Sequence, residues 1–281
     1  MSKTFNQVTE AENTLLVVDA LNLAFRYKHS GATDFAEDYL RTVNSLKKSY
    51  KAQYVVIASD QGSSSFRKEI YPEYKQNRKD KFDEQTEAEK AAFELFFEDF
   101  QATLEHIANN TDYPVLRFKG VEADDIAAYI VNRRNKLPVD NIWLVSSDKD
   151  WDLLVSENVS RFSYVTRKET TLDNWNTHYD FEPEDYISIK CLTGDSGDNV
   201  VGVPGIGPKR AVSLVSEYGS TWDIIASIPL QGKYKYIEAL NKCKDQLILN
   251  YQLMDLVTHC EEALGNDNCK QIDQILEAYL K

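Results

Sequence analysis

Three short apolar runs, each stopping at or just before an aspartate, constrain this chain more than any other feature. They are Leu15-Leu16-Val17-Val18 before Asp19, Tyr54-Val55-Val56-Ile57-Ala58-Ser59 before Asp60, and Ile142-Trp143-Leu144-Val145 before Ser146-Ser147-Asp148. Runs this short and this apolar predict strands buried on both faces. Pro114 to Phe118 is a further candidate strand. Between these runs, Phe35, Tyr39, Val43, Leu46 and Tyr50 recur at helical spacing, and Val121 to Arg134 reads as a second helix. Strand alternating with helix predicts an α/β domain with a mostly parallel sheet. Ligands of such sheets lie beyond the carboxyl ends of the strands, where Asp19, Asp60 and Asp148 fall.

The rest of the chain is organised around that domain. Residues 1–13 read as a polar tail. The stretch from Tyr71 to Asp83 is rich in Lys, Asn, Gln and Arg, with Tyr74 and Phe82 among its few core formers, so it cannot pack on itself. Phe93, Phe96, Phe97, Phe100, Leu104 and Ile107 then resume a helical stripe, read mostly as core. From Pro183 strand signals fade into short amphipathic helices. This predicts an α/β core over 14–185, an arch at about 71–100 that stays mobile until a partner orders it, and a helical module over 186–281.

Composition excludes several classes. No apolar run approaches the roughly 20 residues of a membrane span, and the N-terminus lacks the apolar stretch of a secretory signal, so a cytoplasmic protein is expected. The four cysteines form no C-x-x-C pair and no Cys/His cluster, which argues against a disulfide framework or a zinc site. A net charge of −13 is unusual for a nucleic-acid binder. The acids are gathered in a few places, however, where divalent cations would cancel them, and bases cluster at Arg67-Lys68, Lys75 to Lys81 and Lys209-Arg210.

A single aspartate after a strand is ordinarily a helix N-cap or turn residue. Here three strand-end aspartates are joined by Glu122, Asp124 and Asp125 at a helix start, by Asp148 and Asp150, and by Asp195 and Asp198. Asp148 and Asp150 would alternate in an extended segment, and Asp195 and Asp198 would face one way across a helical turn. Should these nine carboxylates converge, their repulsion would demand counter-ions. Oxygen ligands without histidine or cysteine suit Mg²⁺ or Mn²⁺. Two such ions would serve phosphodiester hydrolysis by stabilising both the attacking and the leaving oxygen. The histidines, His29, His106, His178 and His259, are scattered away from these motifs.

Gly202, Gly205 and Gly207 permit a tight hairpin, followed by Pro208 at the first turn of a helix that would run through Val215 to Gly219. With Lys209 and Arg210 beside them, the amides of such a hairpin suit a DNA phosphate held without sequence readout.

Taken together, the motifs resemble the flap endonucleases and 5′-3′ exonucleases, including the 5′-nuclease domain of DNA polymerase I and above all the free-standing phage enzymes. The likeness runs in family order through Val17 to Leu23, Ser59 to Arg67, Tyr74 to Arg78, Gly120 to Asp125, Ser147 to Trp151, Gly194 to Asn199 and Gly202 to Arg210. It implies a PIN-like, resolvase-like nuclease core with a helical arch and a C-terminal helix-hairpin-helix-like module (H3TH, helix-three-turn-helix). It also implies that Asp19, Asp60, Glu122, Asp124, Asp125, Asp148, Asp150, Asp195 and Asp198 form the metal-coordinating set. Within that set, Glu122, Asp124, Asp125 and Asp148 would lie nearer one ion, and Asp150, Asp195 and Asp198 nearer the other. Lys75 and Arg78 match basic residues that address the scissile phosphate, and Tyr74 an aromatic that stacks on a base. The hairpin would grip duplex DNA, in some relatives with K⁺ on its carbonyls.

Ala20 departs from the glycine common after the first aspartate. A polymerase domain is not in the sequence, so coupling to a polymerase would act in trans. The expected substrate is DNA with a 5′ flap, 5′ overhang or free 5′ end, cut by a monomer in replication. Two alternatives remain at this stage: a PIN-like ribonuclease, and a non-catalytic DNA-binding protein whose acids are a solvated face.

Overall fold

A computed structural model describes residues 13–281; apart from Asn13, the expected polar tail lies outside the described residues. In chain order the first elements are β1 (Thr14–Asp19), α1 (Ala20–Ser30), α2 (Ala36–Ser49), β2 (Tyr54–Ser59), α3 (Ser65–Ile70), α4 (Gln76–Asp83), α5 (Glu87–Asn110), β3 (Val115–Arg117), α6 (Ala123–Arg133), β4 (Asn141–Val145), β5 (Val159–Ser163) and β6 (Lys168–Thr170). There follow α7 (Tyr186–Thr193), β7 (Gly194–Asp195), β8 (Val200–Val201), α8 (Pro208–Tyr218), α9 (Thr221–Ser227), α10 (Lys235–Leu240), α11 (Lys244–Met254), α12 (Leu256–Leu264) and α13 (Asn266–Tyr279). Among the described residues no helix is long and apolar enough to cross a membrane.

Two compact units interleave along the chain. The first comprises the part up to Ser65, Gln85–Asp173 and Leu256–Lys281; the second comprises Phe66–Glu84 and Asn174–Asp255. By packing, α12 and α13 belong to the first unit, although they follow the boundary near residue 185 that the sequence suggests.

The first unit is built on a six-stranded sheet in the order β3-β2-β1-β4-β5-β6, parallel throughout except for β6. Alternate side chains of β1 enter opposite cores. Leu15 and Val17 pack with α6, α12 and α13, whereas Leu16 and Val18 pack with α1, α2 and α5. With both faces covered, a strand needs apolar side chains in both directions, and the central residues of β1, β2 and β4 supply them, which makes these runs legible in the sequence. The register sets Val18 level with Ile57 and Val145, so β1, β2 and β4 end together. β1 lies between β2 and β4, where the strand order reverses, so Asp19 ends its strand at the switch point of the sheet.

β5 has no matching sequence signal. Its Val-Ser-Arg-Phe-Ser run carries Arg161, buried, with Nη2 donating to Asp152 Oδ2 at 2.7 Å and Nη1 to the Ser146 carbonyl at 3.0 Å.

The expected arch segment is largely helical. Residues of the polar stretch form α4, which buries no side chain. α5, by itself, opens on a capping box in which Glu89 accepts from the Thr86 N–H at 2.8 Å. Phe96, Phe100, Leu104 and Ile107 of the stripe are core, while Phe97 is 38 % exposed.

The second unit has its own core of Tyr74, Leu192, Val203, Ile206, Leu214, Ile224, Leu240, Leu247 and neighbours. α8 starts on Pro208 and stops at Gly219, whose φ of 94° suits glycine. The cysteines are all free, with Cys191, Cys260 and Cys269 buried. Burial pushes the Cys191 and Cys260 thiols up to about 12, consistent with inert core residues.

Candidate metal centre and DNA interface

In the first unit, the strand-end aspartates are fixed by the backbone that follows each strand. Asp19 caps α1, accepting from the Asn22 N–H at 3.1 Å, and its other oxygen accepts from the Ser146 hydroxyl at 2.7 Å. Ser146 Oγ in turn accepts from the Asp148 N–H at 3.1 Å, tying the end of β1 to the segment after β4. Asn22 adds a second tie, accepting from the Ser147 N–H at 2.8 Å. Asp60 accepts from the Ala123 N–H at 3.0 Å, so it caps the start of α6 from another strand. The ordinary role of an aspartate as a helix cap is therefore present at Asp19 and Asp60, and it is what aims them.

Glu122 precedes α6 and accepts from the Ser64 N–H at 3.2 Å. The loops carrying Asp60 and Glu122 are locked together around Gly120, whose N–H donates to the Gln61 carbonyl and whose carbonyl accepts from the Ser65 N–H, both at 2.8 Å. Glu122, Asp124 and Asp125 each offer a carboxylate oxygen within 4.8 Å of the others, with Glu122 and Asp125 buried. Asp148 is exposed and accepts from the Asp150 N–H at 2.9 Å. The expected extended alternation is not found: only Asp148 is extended, while Asp150 lies in the 3-10 turn Lys149–Leu154, because the Asp148 carboxylate caps that turn.

Burial, then the neighbouring Asp60 carboxylate, pushes the Asp19 carboxyl up to about 8, against the opposing bonds from Ser146 and Asn22. A buried carboxylate so penalised beside Asp60, together with a trio of close carboxylates at the start of the helix that Asp60 caps, fits a divalent cation with oxygen ligands.

In the second unit, Asp195 and Asp198 do not share a helical turn. Asp195 ends β7, and its Oδ1 accepts from the N–H groups of Gly197 (2.8 Å) and Asp198 (3.2 Å), bending the chain into the β7–β8 hairpin. Burial would raise the Asp195 carboxyl, but Lys190, with Nζ at 3.1 Å from Oδ2, and the two amides outweigh it and hold the carboxyl below its ordinary range. Asp198 faces three groups of the basic segment: the Tyr74 hydroxyl at 2.9 Å, Lys75 Nζ at 3.7 Å and Arg78 Nη2 at 2.5 Å. Tyr74 corrects an expectation. Its ring is 2 % exposed within the core of this unit, so it presents no face on which a base could stack.

The glycine hairpin also divides by role. A Cβ at Gly202 would lie 2.2 Å from the Thr193 carbonyl, so this glycine allows close packing. Gly205, with φ of 80°, and Gly207 are exposed, as are Lys209 and Arg210. Arg210 donates to the Gly205 carbonyl and lies 4.8 Å from the Tyr236 ring centroid. Tyr236 stacks on the exposed Tyr234 at 5.5 Å, and a cavity of about 370 Å³ lies among Pro204, Gly205, Arg210 and the two tyrosines.

Sequence reasoning missed Ser146, Asn22, Lys190, Tyr234 and Tyr236. Ser146 and Asn22 stood inside the quoted motifs, whereas Lys190, Tyr234 and Tyr236 carried no pattern of their own.

Comparison with known proteins agrees with this geometry. Residues 14–182 match the N-terminal resolvase-like domain of 5′-3′ exonucleases, and residues 181–274 match the C-terminal SAM fold of the same enzymes. The chain is 43% identical to the flap endonuclease of Escherichia phage T5 over 94% of its length and 93% of that protein's. It is 29% identical to a 5′-3′ exonuclease of Aquifex aeolicus over 83% of this chain and 74% of the other. Among solved structures, a phage T5 flap endonuclease complex with DNA and metal ions superposes with a TM-score of 0.89 at 42% identity, covering 94% of this chain and all of the other.

Proposed function

The chain belongs to the 5′-3′ exonuclease family, and from that membership we propose that it is a metal-dependent flap endonuclease and 5′-3′ exonuclease acting on DNA with a 5′ flap, overhang or free 5′ end. The observation that carries this reading is the Asp19 carboxyl, buried and pushed up to about 8 beside Asp60, with Glu122, Asp124 and Asp125 gathered on the next helix start.

Asp19, Asp60, Glu122, Asp124, Asp125, Asp148 and Asp150 are the first unit's metal ligands, direct or through water, and Asp195 and Asp198 are the second unit's. Two Mg²⁺ ions, for which Mn²⁺ can substitute, would supply activation of the attacking water and stabilisation of charge on the attacking and leaving oxygens. The protein's part is to aim the carboxylates in advance. Ser146 fixes Asp19, Gly120 fixes the loops of Asp60 and Glu122, and Lys190 keeps Asp195 ionised.

Lys75 and Arg78 neutralise the scissile phosphate as its negative charge develops. Both now face the Asp198 carboxylate, whose place a phosphate oxygen can take. Gly205, Gly207, Lys209 and Arg210 hold duplex phosphates, with K⁺ on the hairpin carbonyls. The enzyme works as a monomer in the cytoplasm, in replication, beside a polymerase acting in trans.

The test is incubation in Mg²⁺ with labelled 5′-flap DNA, a matched RNA and plain duplex. Cleavage near the flap junction is expected. Preferential cutting of RNA would select a PIN-like ribonuclease, and binding without cutting a non-catalytic DNA-binding protein.

A further inference from the structure

The turn that carries Lys75 is tied to the β7–β8 hairpin by contacts that the catalytic reading does not use. Lys75 has φ 57° and ψ 17°, the left-handed region that a residue with a Cβ enters only when its surroundings hold it there. Its N–H donates to the Asp198 carbonyl at 2.9 Å. In the reverse direction, Asn199 Nδ2 donates to the Glu73 carbonyl at 2.8 Å. Asn199 is itself left-handed, with φ 61°, a conformation asparagine tolerates better than most residues. The two bonds bracket Tyr74 and pin the turn on both sides of it, and Asn77 adds a third, donating to the Ser196 carbonyl at 2.7 Å.

We propose that Asn199 is a positioning residue for Lys75, its amide holding the Glu73 carbonyl so that the turn keeps Lys75 left-handed with its ammonium aimed at the phosphate position beside Asp198. This rests on the reading that Lys75 addresses the scissile phosphate. The choice of residue follows from the geometry. Position 199 needs a side chain that accepts positive φ and donates across the hairpin, and asparagine does both.

The informative variant is Asn199→Gly, which leaves the backbone free to keep its φ and removes the side chain that carries the amide. Single-turnover cleavage of 5′-flap DNA in Mg²⁺ should fall about tenfold or more, as for outer supports of catalytic groups. Flap affinity in Ca²⁺ should stay within about twofold, because phosphate grip elsewhere is intact. In the metal-free protein the Lys75 amide should exchange with solvent at least about tenfold faster. Combined with Lys75→Ala, Asn199→Gly should cost less than about a further twofold, since a residue acting through Lys75 has nothing left to position. A full tenfold loss persisting in the Lys75→Ala background, or unchanged exchange at Lys75, would overturn the proposal. Lys75→Ala cleaving at the wild-type rate would instead overturn the reading of Lys75, and the positioning role with it, whatever the exchange shows.

Discussion

The Tyr74 hydroxyl donates to Asp198 Oδ2 across 2.9 Å from a ring that is 2 % exposed. A residue whose sequence context suggests base stacking instead holds an acidic side chain from within the core. Tyr74→Phe should keep the packing and lose one hydrogen bond, at about 1.5–3 kcal/mol for a bond to a charged group. Tyr74→Ala should cost about 3–5 kcal/mol by opening a cavity. Thermal denaturation of the two variants checks this, and equal midpoints would contradict the buried ring.

Asp19 ties metal to pH. With the folded carboxyl raised to about 8 and the unfolded one near 3.8, the metal-free fold binds the proton more tightly than the unfolded chain. That contribution is fully present below about pH 4 and is lost as the pH rises towards 8. Metal-free protein should therefore lose stability over this window, and Mg²⁺ should restore most at its upper end. Asp19→Asn keeps the cap and the contact with Ser146 but carries no charge. Without metal at pH 8 it should melt at least about 2–4 °C above wild type, with the gap narrowing towards pH 4. Calorimetry across that range, with and without Mg²⁺, is the measurement.

Asp148→Asn and Asp195→Asn should each lower cleavage on the order of 100-fold or more while flap binding remains measurable, because phosphate grip and chemistry use different side chains. Ca²⁺ should support binding without cutting, since its looser coordination misplaces the attacking water. Gel-shift and single-turnover assays separate the two effects; full activity in either variant would refute the ligand assignment.

At Gly120 the backbone has φ of 72°, and a Cβ would sit 2.0 Å from Ser65 Oγ. Gly120→Ala should therefore cost about 1–3 kcal/mol in stability from strain alone. It should also raise the Mg²⁺ concentration needed for activity, because the loops of Asp60 and Glu122 are locked there. A metal titration of activity that matches wild type would show the lock to be irrelevant to the site.

Much of the α/β core was legible because a doubly covered parallel strand needs apolar side chains on both faces, and residues 15–18, 55–58 and 142–145 supply them. β5 was not, since buried Arg161 is satisfied by Asp152, nine residues earlier and outside the strand, which no strand pattern reveals. The strand-end acids were legible by position, but their local geometry was not. Whether Asp150 sits in an extended run or a 3-10 turn depends on Asp148 capping its N–H. Asp195 and Asp198 sit on a hairpin because the Asp195 carboxylate captures two amides ahead of it. Tyr74 was misleading for a related reason: a polar neighbourhood in sequence says nothing about a core assembled from α7, α8 and α11.

Asp152 and Arg161 aside, the sheet depends on partners far along the chain. Leu256, Cys260, Leu264, Cys269, Ile272 and Leu276 from α12 and α13, with Leu280 just after them, cover the same face as Leu15 and Val17 of β1. The Tyr279 hydroxyl accepts from the Val55 N–H at 3.0 Å. The chain crosses between its compact units at 65/66, 84/85, 173/174 and 255/256. Neither unit can therefore be released intact by one proteolytic nick or by one stop codon. During synthesis, the β1 face that α12 and α13 cover stays bare until those helices have left the ribosome, so a chain stopped between residues 173 and 255 exposes it and is aggregation-prone.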